Sequence, residues 1–162
     1  MDTWVLGKVE RFAHFIQRAT GIAPLRIAMW GEVITGSSFL GCWMIPSMSV
    51  ENKMIAAVAA TLIIWSTFKI FPYLDEKAKK NAAAGLSNEF KVHPIYKALR
   101  IVSLVLLFLA ATALYFLHPH KLSHVNFFAL ALGNFMGLYF LACDELPPGV
   151  SRKPVLASLQ SK

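Results

Sequence analysis

A long apolar run, LRIVSLVLLFLAATALYFL at residues 99–117, is the most informative segment of this chain. It contains no charged residue between Arg100 and His118. A helix needs roughly 20 predominantly apolar residues to cross a bilayer, and this run has that length and composition. A single run of this kind also occurs as the buried helix of a soluble domain, so its interpretation depends on the other segments.

Three further windows of similar length are apolar enough to form helices that cross a membrane. They cover residues 27–48, 54–73 and 125–143. The first of them is the least apolar, because it contains Glu32 and several small polar residues. Four such segments are too many for the interior of one soluble domain of 162 residues. The sequence therefore predicts an all-α integral membrane protein with four transmembrane helices in an antiparallel bundle.

The overall composition agrees with a membrane location. Hydrophobic residues make up 56% of the chain and charged residues only 15%, whereas charged residues are about a quarter of a typical soluble domain. These values exclude a disordered chain. Cys42 is expected near the outer side of the membrane and Cys143 at the inner side, so they are predicted not to form a disulfide.

Lysine and arginine are concentrated in alternate segments of the chain. The N-terminal segment, residues 74–98 and the tail 144–162 are basic, whereas the two remaining loops carry only Lys53 and Lys121. By the positive-inside rule, both termini and the 74–98 loop are expected in the cytoplasm, with a bacterial inner membrane as the expected location. The net charge of +7 is interpreted as topology and as contact with anionic lipids of the cytoplasmic face, not as nucleic-acid binding.

Residues 4–20 have the spacing of an amphipathic helix. The apolar residues of its predicted face are Val5, Val9, Phe12, Ile16 and Ala19, and those opposite are Glu10, Arg11, His14, Gln17 and Arg18. We interpret this segment as an interfacial helix in the inner headgroup layer. The alternative is a helix packed on the surface of a partner protein. Gly21 and Pro24 are expected to end it before the first window.

Two signals divide the 74–98 loop. Good helix formers continue up to Gly85, which is predicted to stop a helix there. His93 precedes Pro94, and this pair predicts an extended turn directly before the third window.

Glu32 and Lys69 are the charged residues that lie most clearly inside the windows. In an antiparallel hairpin they fall at similar depth, so we predict an ion pair between them that offsets part of the cost of burying each charge. Alternatively, Lys69 extends to the headgroups while Glu32 is protonated or close to water. A functional interpretation, in which Glu32 is a proton or ion site, also stays open.

Three histidines lie close together in the last outer loop. His118, His120 and His124 have the spacing H-x-H-x3-H, which suits a transition metal such as zinc or copper. The alternative is that they are ordinary polar residues of a membrane interface, since the loop offers no carboxylate as a further ligand. None of the histidines lies well inside a window, which disfavours haem, so no cofactor is predicted.

Small and amide residues predict where helices pack closely. They are Asn126, Gly133, Asn134 and Gly137 in the last window, and Ser37 and Gly41 in the first. We expect these surfaces to pack the helices of this chain on each other. The alternative is that one of them contacts a partner subunit or a second copy.

Common catalytic motifs are missing from the sequence: there is no phosphate loop, GxSxG, HExxH or dinucleotide fingerprint. The leading hypothesis is therefore a non-catalytic accessory or structural subunit of a larger membrane assembly, of secretion, transfer or respiratory type. One alternative is a small oligomeric transporter or ion-handling protein that uses Glu32 and Lys69. A third is a metal-handling membrane protein that uses the outer-loop histidines.

Overall fold

The computed structural model is helical throughout the residues that it describes, which are 2–116, 122–144 and 146. No strand occurs within those ranges. The helices are α1 (Asp2–Thr20), α2 (Pro24–Gly41), α3 (Val50–Ala83), α4 (Glu89–Val92), α5 (Pro94–Phe116) and α6 (Leu122–Leu141), with a 3-10 turn at Cys42–Met44. Both cysteines are free thiols, as predicted.

Three of these helices, α3, α5 and α6, are long and apolar enough to cross a membrane. This finding agrees with the prediction of an integral membrane protein. The first predicted window, 27–48, corresponds to α2, which is not among the three. Glu32, Arg26 and the small polar residues of α2 lower its hydropathy, so length and composition alone do not identify it as a span.

The long helices form an open row in the order α3, α2, α6, α5. The most extensive contact joins α2 to α6, and further contacts join α2 to α3 and α5 to α6. The outer helices α3 and α5 do not pack on each other as neighbours over their described residues. The helices α3 and α5 therefore form the two edges of the row.

Glycines bring α2 and α6 into backbone contact at the centre of the row. A Cβ atom on Gly31 would lie 2.6 Å from the amide nitrogen of Gly137 and 2.8 Å from the carbonyl oxygen of Gly133. The predicted GxxxG pair of α6 thus packs inside the chain, with Gly31 and Thr35 of α2 as its partners. Without a side chain at these positions, the two helices approach more closely than larger residues allow.

Helix α3 is longer than a membrane is thick. Its 34 residues span about 50 Å, compared with about 30 Å for the hydrocarbon core. The first part of the predicted 74–98 loop, where the sequence favours a helix up to Gly85, continues α3 without a break to Ala83. Its last turns contain ion pairs at helical spacing, Asp75 with Lys79 and Glu76 with Lys80, which support a solvated helix.

Gly85 ends α3, as the sequence predicts. Its φ is +66°, and the amide of Leu86 donates to the carbonyl of Asn81 at 2.9 Å, which is the hydrogen-bond pattern of a Schellman motif. The extended backbone of His93 (φ −66°, ψ 129°) then leads into Pro94, the first residue of α5, which confirms the predicted turn.

We expect Gly85→Ala to destabilise the protein by about 1 kcal/mol, because an L side chain is strained at positive φ. Gly85→Asn should cost less, since asparagine tolerates the left-handed conformation. Thermal unfolding in detergent micelles measures both effects. Equal melting temperatures for the alanine variant and the wild type would contradict this role of Gly85.

Candidate functional site

Helix α1 lies across one end of the helix row and is held there by polar side chains. We call this region the polar end. Its members are Asp2, Glu10, His14, Gln17, Asn88, Lys91, Arg100 and Asp144. They come from α1, from α4 with the residue before it, from the start of α5 and from the segment after α6, so residues distant in sequence meet here.

Asp2 and Arg100 form a buried, two-pronged ion pair. Arg100 Nε donates to Asp2 Oδ1 at 3.0 Å and Arg100 Nη2 donates to Asp2 Oδ2 at 2.8 Å. The two side chains are only 1% and 2% exposed. Arg100 Nη1 also donates to the carbonyl of Phe90 at 2.8 Å, and the guanidinium lies 6.0 Å from the ring centre of Tyr139. The first turn of α1 is therefore tied to α5, α4 and α6 by one guanidinium.

Lys91 is the centre of a second cluster, which is half-buried. Its ammonium donates to Glu10 Oε1 at 2.8 Å and to Asp144 Oδ2 at 2.7 Å. The other oxygen of Asp144 accepts the backbone N–H of Asn88 at 2.7 Å. Burial opposes ionisation of Asp144, but the hydrogen bonds from Lys91 and Asn88 outweigh it, and the pKa of this carboxyl is lowered.

The chain after α6 is fixed by side chains that satisfy its backbone. Asn88 Nδ2 donates to the carbonyl of Leu141 at 2.8 Å, and His14 Nε2 is 2.9 Å from the carbonyl oxygen of Asp144. The amide of Leu146 donates to Gln17 Oε1 at 3.1 Å. The last carbonyls of a helix have no partner within the helix, so the bond from Asn88 caps α6. The bonds of His14 and Gln17 fasten the segment after α6 to α1.

The buried side of α1 overlaps only in part with its predicted apolar face, of which Val5 and Val9 pack against the core. The residues that it buries are Asp2, Leu6, Ala13 and Gln17, whereas Phe12 and Ala19 of the predicted apolar face are exposed. The difference arises because Asp2 and Gln17 are satisfied by distant partners, so that polar residues can face inward. As a result Trp4, Phe12 and Phe15 are 67%, 56% and 67% exposed, with Lys8 stacked 5.5 Å from the ring centre of Trp4.

The structure does not bring Glu32 and Lys69 together. Lys69 is exposed on α3, and Glu32 faces α6, where its carboxylate lies at the backbone of Gly137. Within the described ranges there is no ion pair between them. Similar depth alone would not pair Glu32 with Lys69, because the side of α2 that carries Glu32 packs against Gly137 of α6 and not against α3.

The predicted packing residues differ in their positions. Asn126 lies against Gly41, because a Cβ atom added to Gly41 would be 2.5 Å from Oδ1 of Asn126. Nδ2 of Asn126 is 3.5 Å from the sulfur of Cys42. Asn134 donates to the carbonyl of Leu130 within its own helix at 2.9 Å. Ser37 is exposed and does not take part in the predicted close contact.

The histidine hypothesis falls mostly outside the described residues, since His118 and His120 are not among them. His124 lies in the first turn of α6 and is half-buried. Among the residues that are described, no group of three or more His, Cys, Asp or Glu side chains is placed to hold a metal ion. The metal site stays a prediction.

Cys143 lies beside the Lys91 cluster but is not suited to nucleophilic chemistry. The residue is 2% exposed. Burial and the charge of Glu10 raise the pKa of its thiol to about 12. A thiol is a good nucleophile only as the thiolate, so Cys143 is a packing residue at neutral pH.

The polar end should give the protein a stability optimum between acid and alkaline limits. Hydrogen bonding to Arg100 lowers the pKa of Asp2, and the pKa of Asp144 is lowered as well. The two ionised carboxylates therefore stabilise the fold above about pH 4, and this stabilisation is lost as the pH falls further. Burial opposes the charge of Lys91, but its carboxylate partners raise its pKa, so its contribution is lost above about pH 10.5. Thermal unfolding from pH 3 to pH 11 tests this, and Lys91→Gln should weaken the alkaline loss. A melting temperature independent of pH would contradict the expectation.

Comparisons with known proteins give no assignment: no family model, no curated protein and no solved structure matches this chain. The function is therefore argued from the geometry described above.

Proposed function

We propose that this protein is a small non-catalytic subunit of a larger membrane assembly. The observation that carries the proposal is the polar end, where the charged groups of α1, α4, α5 and the end of α6 are paired with each other. Groups committed in this way hold helices in place and are not free for chemistry on a substrate. The result is a rigid platform that presents the outer face of α1.

The outer face of α1 is the surface that we assign to contacts at the membrane boundary. It exposes Trp4, Phe12 and Phe15 beside Lys8 and Arg11. Aromatic rings and basic side chains on one helix face suit an interface between anionic headgroups and water, or a neighbouring subunit at that level. This supports an interfacial position for α1 on the cytoplasmic leaflet, with both termini inside a bacterial cell.

The open row supports lateral contacts within the membrane. Its outer helices α3 and α5 present large apolar side chains, such as Leu62 and Trp65 on α3 and Phe108 and Leu109 on α5, which are 52–71% exposed. Lipid covers such faces, and so do the helices of other subunits. A row of helices offers more of this surface than a closed bundle of the same length.

We further propose that α2 crosses the membrane together with α3, α5 and α6. It lies between α6 and α3 along most of its length, and Gly31, Gly36 and Gly41 contact its neighbours in antiparallel register. A helix enclosed on two sides by membrane-crossing helices needs less hydropathy of its own, because its polar side chains are shielded from lipid.

Co-purification from native membranes in mild detergent tests the subunit role. We expect larger membrane proteins to be retained at a fixed ratio to this chain, and a Trp4→Ala/Phe15→Ala double variant to lose part of them. Trp43→Ala, in the 3-10 turn after α2, is the matched control for the loss of an exposed aromatic ring that lies on neither proposed contact surface. Recovery of the chain alone, at its native expression level, would contradict the proposal.

Ion handling is the second candidate, and Glu32 is the observation that favours it. This half-buried carboxylate has no hydrogen bond or ion pair with another described residue. An acid without a partner inside a membrane protein is a default site for a proton or cation. Loss of an ion flux in proteoliposomes with Glu32→Gln, while co-purification stays unchanged, would favour this function over the first.

A further inference from the structure

A cleft of about 450 Å³ opens between α2 and α3 near the polar end. Its apolar lining comes from Met29 and Trp30 on α2 and from Phe68 and Phe71 on α3. Trp30 and Phe68 are 59% and 61% exposed, so the cleft opens on the outside of the row. Since α3 is a candidate membrane-spanning helix, this outer side faces acyl chains wherever α3 crosses the bilayer.

Two opposite charges line the same cleft. Arg26 is in the first turn of α2, and Asp75 follows the apolar part of α3. Both residues therefore lie where a membrane-spanning segment reaches the headgroups. No ion pair joins them, although both are described residues, so the cleft keeps a positive and a negative group apart.

Part of the hydrogen-bonding capacity of these two side chains is not used within the described chain. The guanidinium of Arg26 is exposed and has no ion pair or hydrogen bond with another described residue. Asp75 pairs through Oδ2 with Lys79, whereas its Oδ1 is buried and has no hydrogen-bond partner. A buried carboxylate oxygen without a donor is rare in folded proteins and calls for a partner.

Pro72 adds a second acceptor to the α3 side of the cleft. Proline has no backbone N–H, so the carbonyl of Phe68, one turn earlier, lacks its helical donor. Both Phe68 and Pro72 line the cleft. The α3 side thus offers hydrogen-bond acceptors, and the α2 side offers a guanidinium that can pair with an anion.

We propose that this cleft binds a zwitterionic phospholipid whose headgroup ends in a primary ammonium, that is, a phosphatidylethanolamine. The phosphate pairs with Arg26, the ammonium donates to Asp75, and an acyl chain lies along the aromatic lining. A guanidinium matches the geometry of a phosphate. A primary ammonium supplies the N–H donors that the quaternary ammonium of phosphatidylcholine lacks.

Native mass spectrometry of the full chain in detergent tests the proposal directly. The protein is incubated with equal amounts of phosphatidylethanolamine, phosphatidylcholine and phosphatidylglycerol that carry identical acyl chains. We expect phosphatidylethanolamine to be retained about tenfold more than phosphatidylcholine, as one hydrogen bond to a charged group implies. Equal retention of these two lipids, or preferred retention of phosphatidylglycerol, would overturn the proposal without any variant.

Two variants separate the roles of the charges. Asp75→Asn should abolish the preference for phosphatidylethanolamine over phosphatidylcholine, whereas Glu76→Gln, which loses a comparable ion pair one residue away, should keep it. Arg26→Gln should weaken retention of every phospholipid severalfold, and Arg18→Gln on α1 is its matched control. A preference that survives Asp75→Asn would rule out the assigned headgroup contact. The subunit role rests on the polar end and is unaffected by either result.

Discussion

Replacing Arg100 by glutamine should destabilise the protein by roughly 3–5 kcal/mol, the usual cost of breaking a buried ion pair on one side. Asp2 would then be left without its partner in a place where its side chain is 2% exposed. The carbonyl of Phe90 would lose its donor as well. Because the pair with Arg100 holds the first turn of α1 in place, we expect α1 to detach before the rest of the structure unfolds.

Thermal unfolding in detergent micelles, combined with limited proteolysis of α1, measures this effect. Arg18→Gln is the matched control, since Arg18 is exposed and its replacement breaks no ion pair of the described chain. A double variant, Asp2→Leu/Arg100→Met, should be more stable than the sum of the single losses predicts, because no charge is left unpaired. If Arg100→Gln and Arg18→Gln unfold alike, the Asp2–Arg100 pair does not hold α1.

Substitution of Gly133 should have the second large effect. A Cβ atom at this position would lie 2.5 Å from Thr35 Oγ1, 2.6 Å from the carbonyl oxygen of Gly31 and 2.8 Å from the amide nitrogen of Thr35. Two of these atoms belong to the backbone and cannot rotate away. We therefore expect Gly133→Ala to lower the free energy of unfolding by about 1–3 kcal/mol, and Gly133→Leu to separate α2 from α6.

Gly7→Ala is the control for this experiment, because a Cβ atom at Gly7 meets nothing within 4 Å. Alanine there should be neutral or slightly stabilising, as expected for a helical glycine with open space around its Cβ position. The comparison uses melting temperatures in the same detergent. An alanine at position 133 that melts no lower than the wild type would mean that α2 and α6 are not in backbone contact.

Local patterns were sufficient to locate most of the helices. The apolar run at residues 99–117 corresponds to α5, and the windows at 54–73 and 125–143 lie largely within α3 and α6. Gly85 ends α3 and Pro94 begins α5, as the sequence predicts. These features depend on residues close together in the chain, where hydropathy and backbone preferences decide the outcome.

The orientation of each helix about its axis could not be predicted in the same way. The buried face of α1 is set by Arg100, which is 98 positions from Asp2, and no local periodicity reports such a partner. Glu32 was predicted to meet Lys69, but Gly31 draws α2 toward α6. Arg100 did leave a signal: it is a charged residue at the start of the most apolar window.

Cysteine accessibility in intact cells tests most directly whether α3 carries this chain across the membrane, with the turn before it outside the cell and the segment after it inside. Ser47, between α2 and α3, and Ser87, after α3, are both exposed and can be replaced singly by cysteine in a background without Cys42 and Cys143. We predict that an impermeant maleimide added outside labels Ser47→Cys, while Ser87→Cys reacts only after the membrane is opened. Labelling of both positions from the same side would contradict the account.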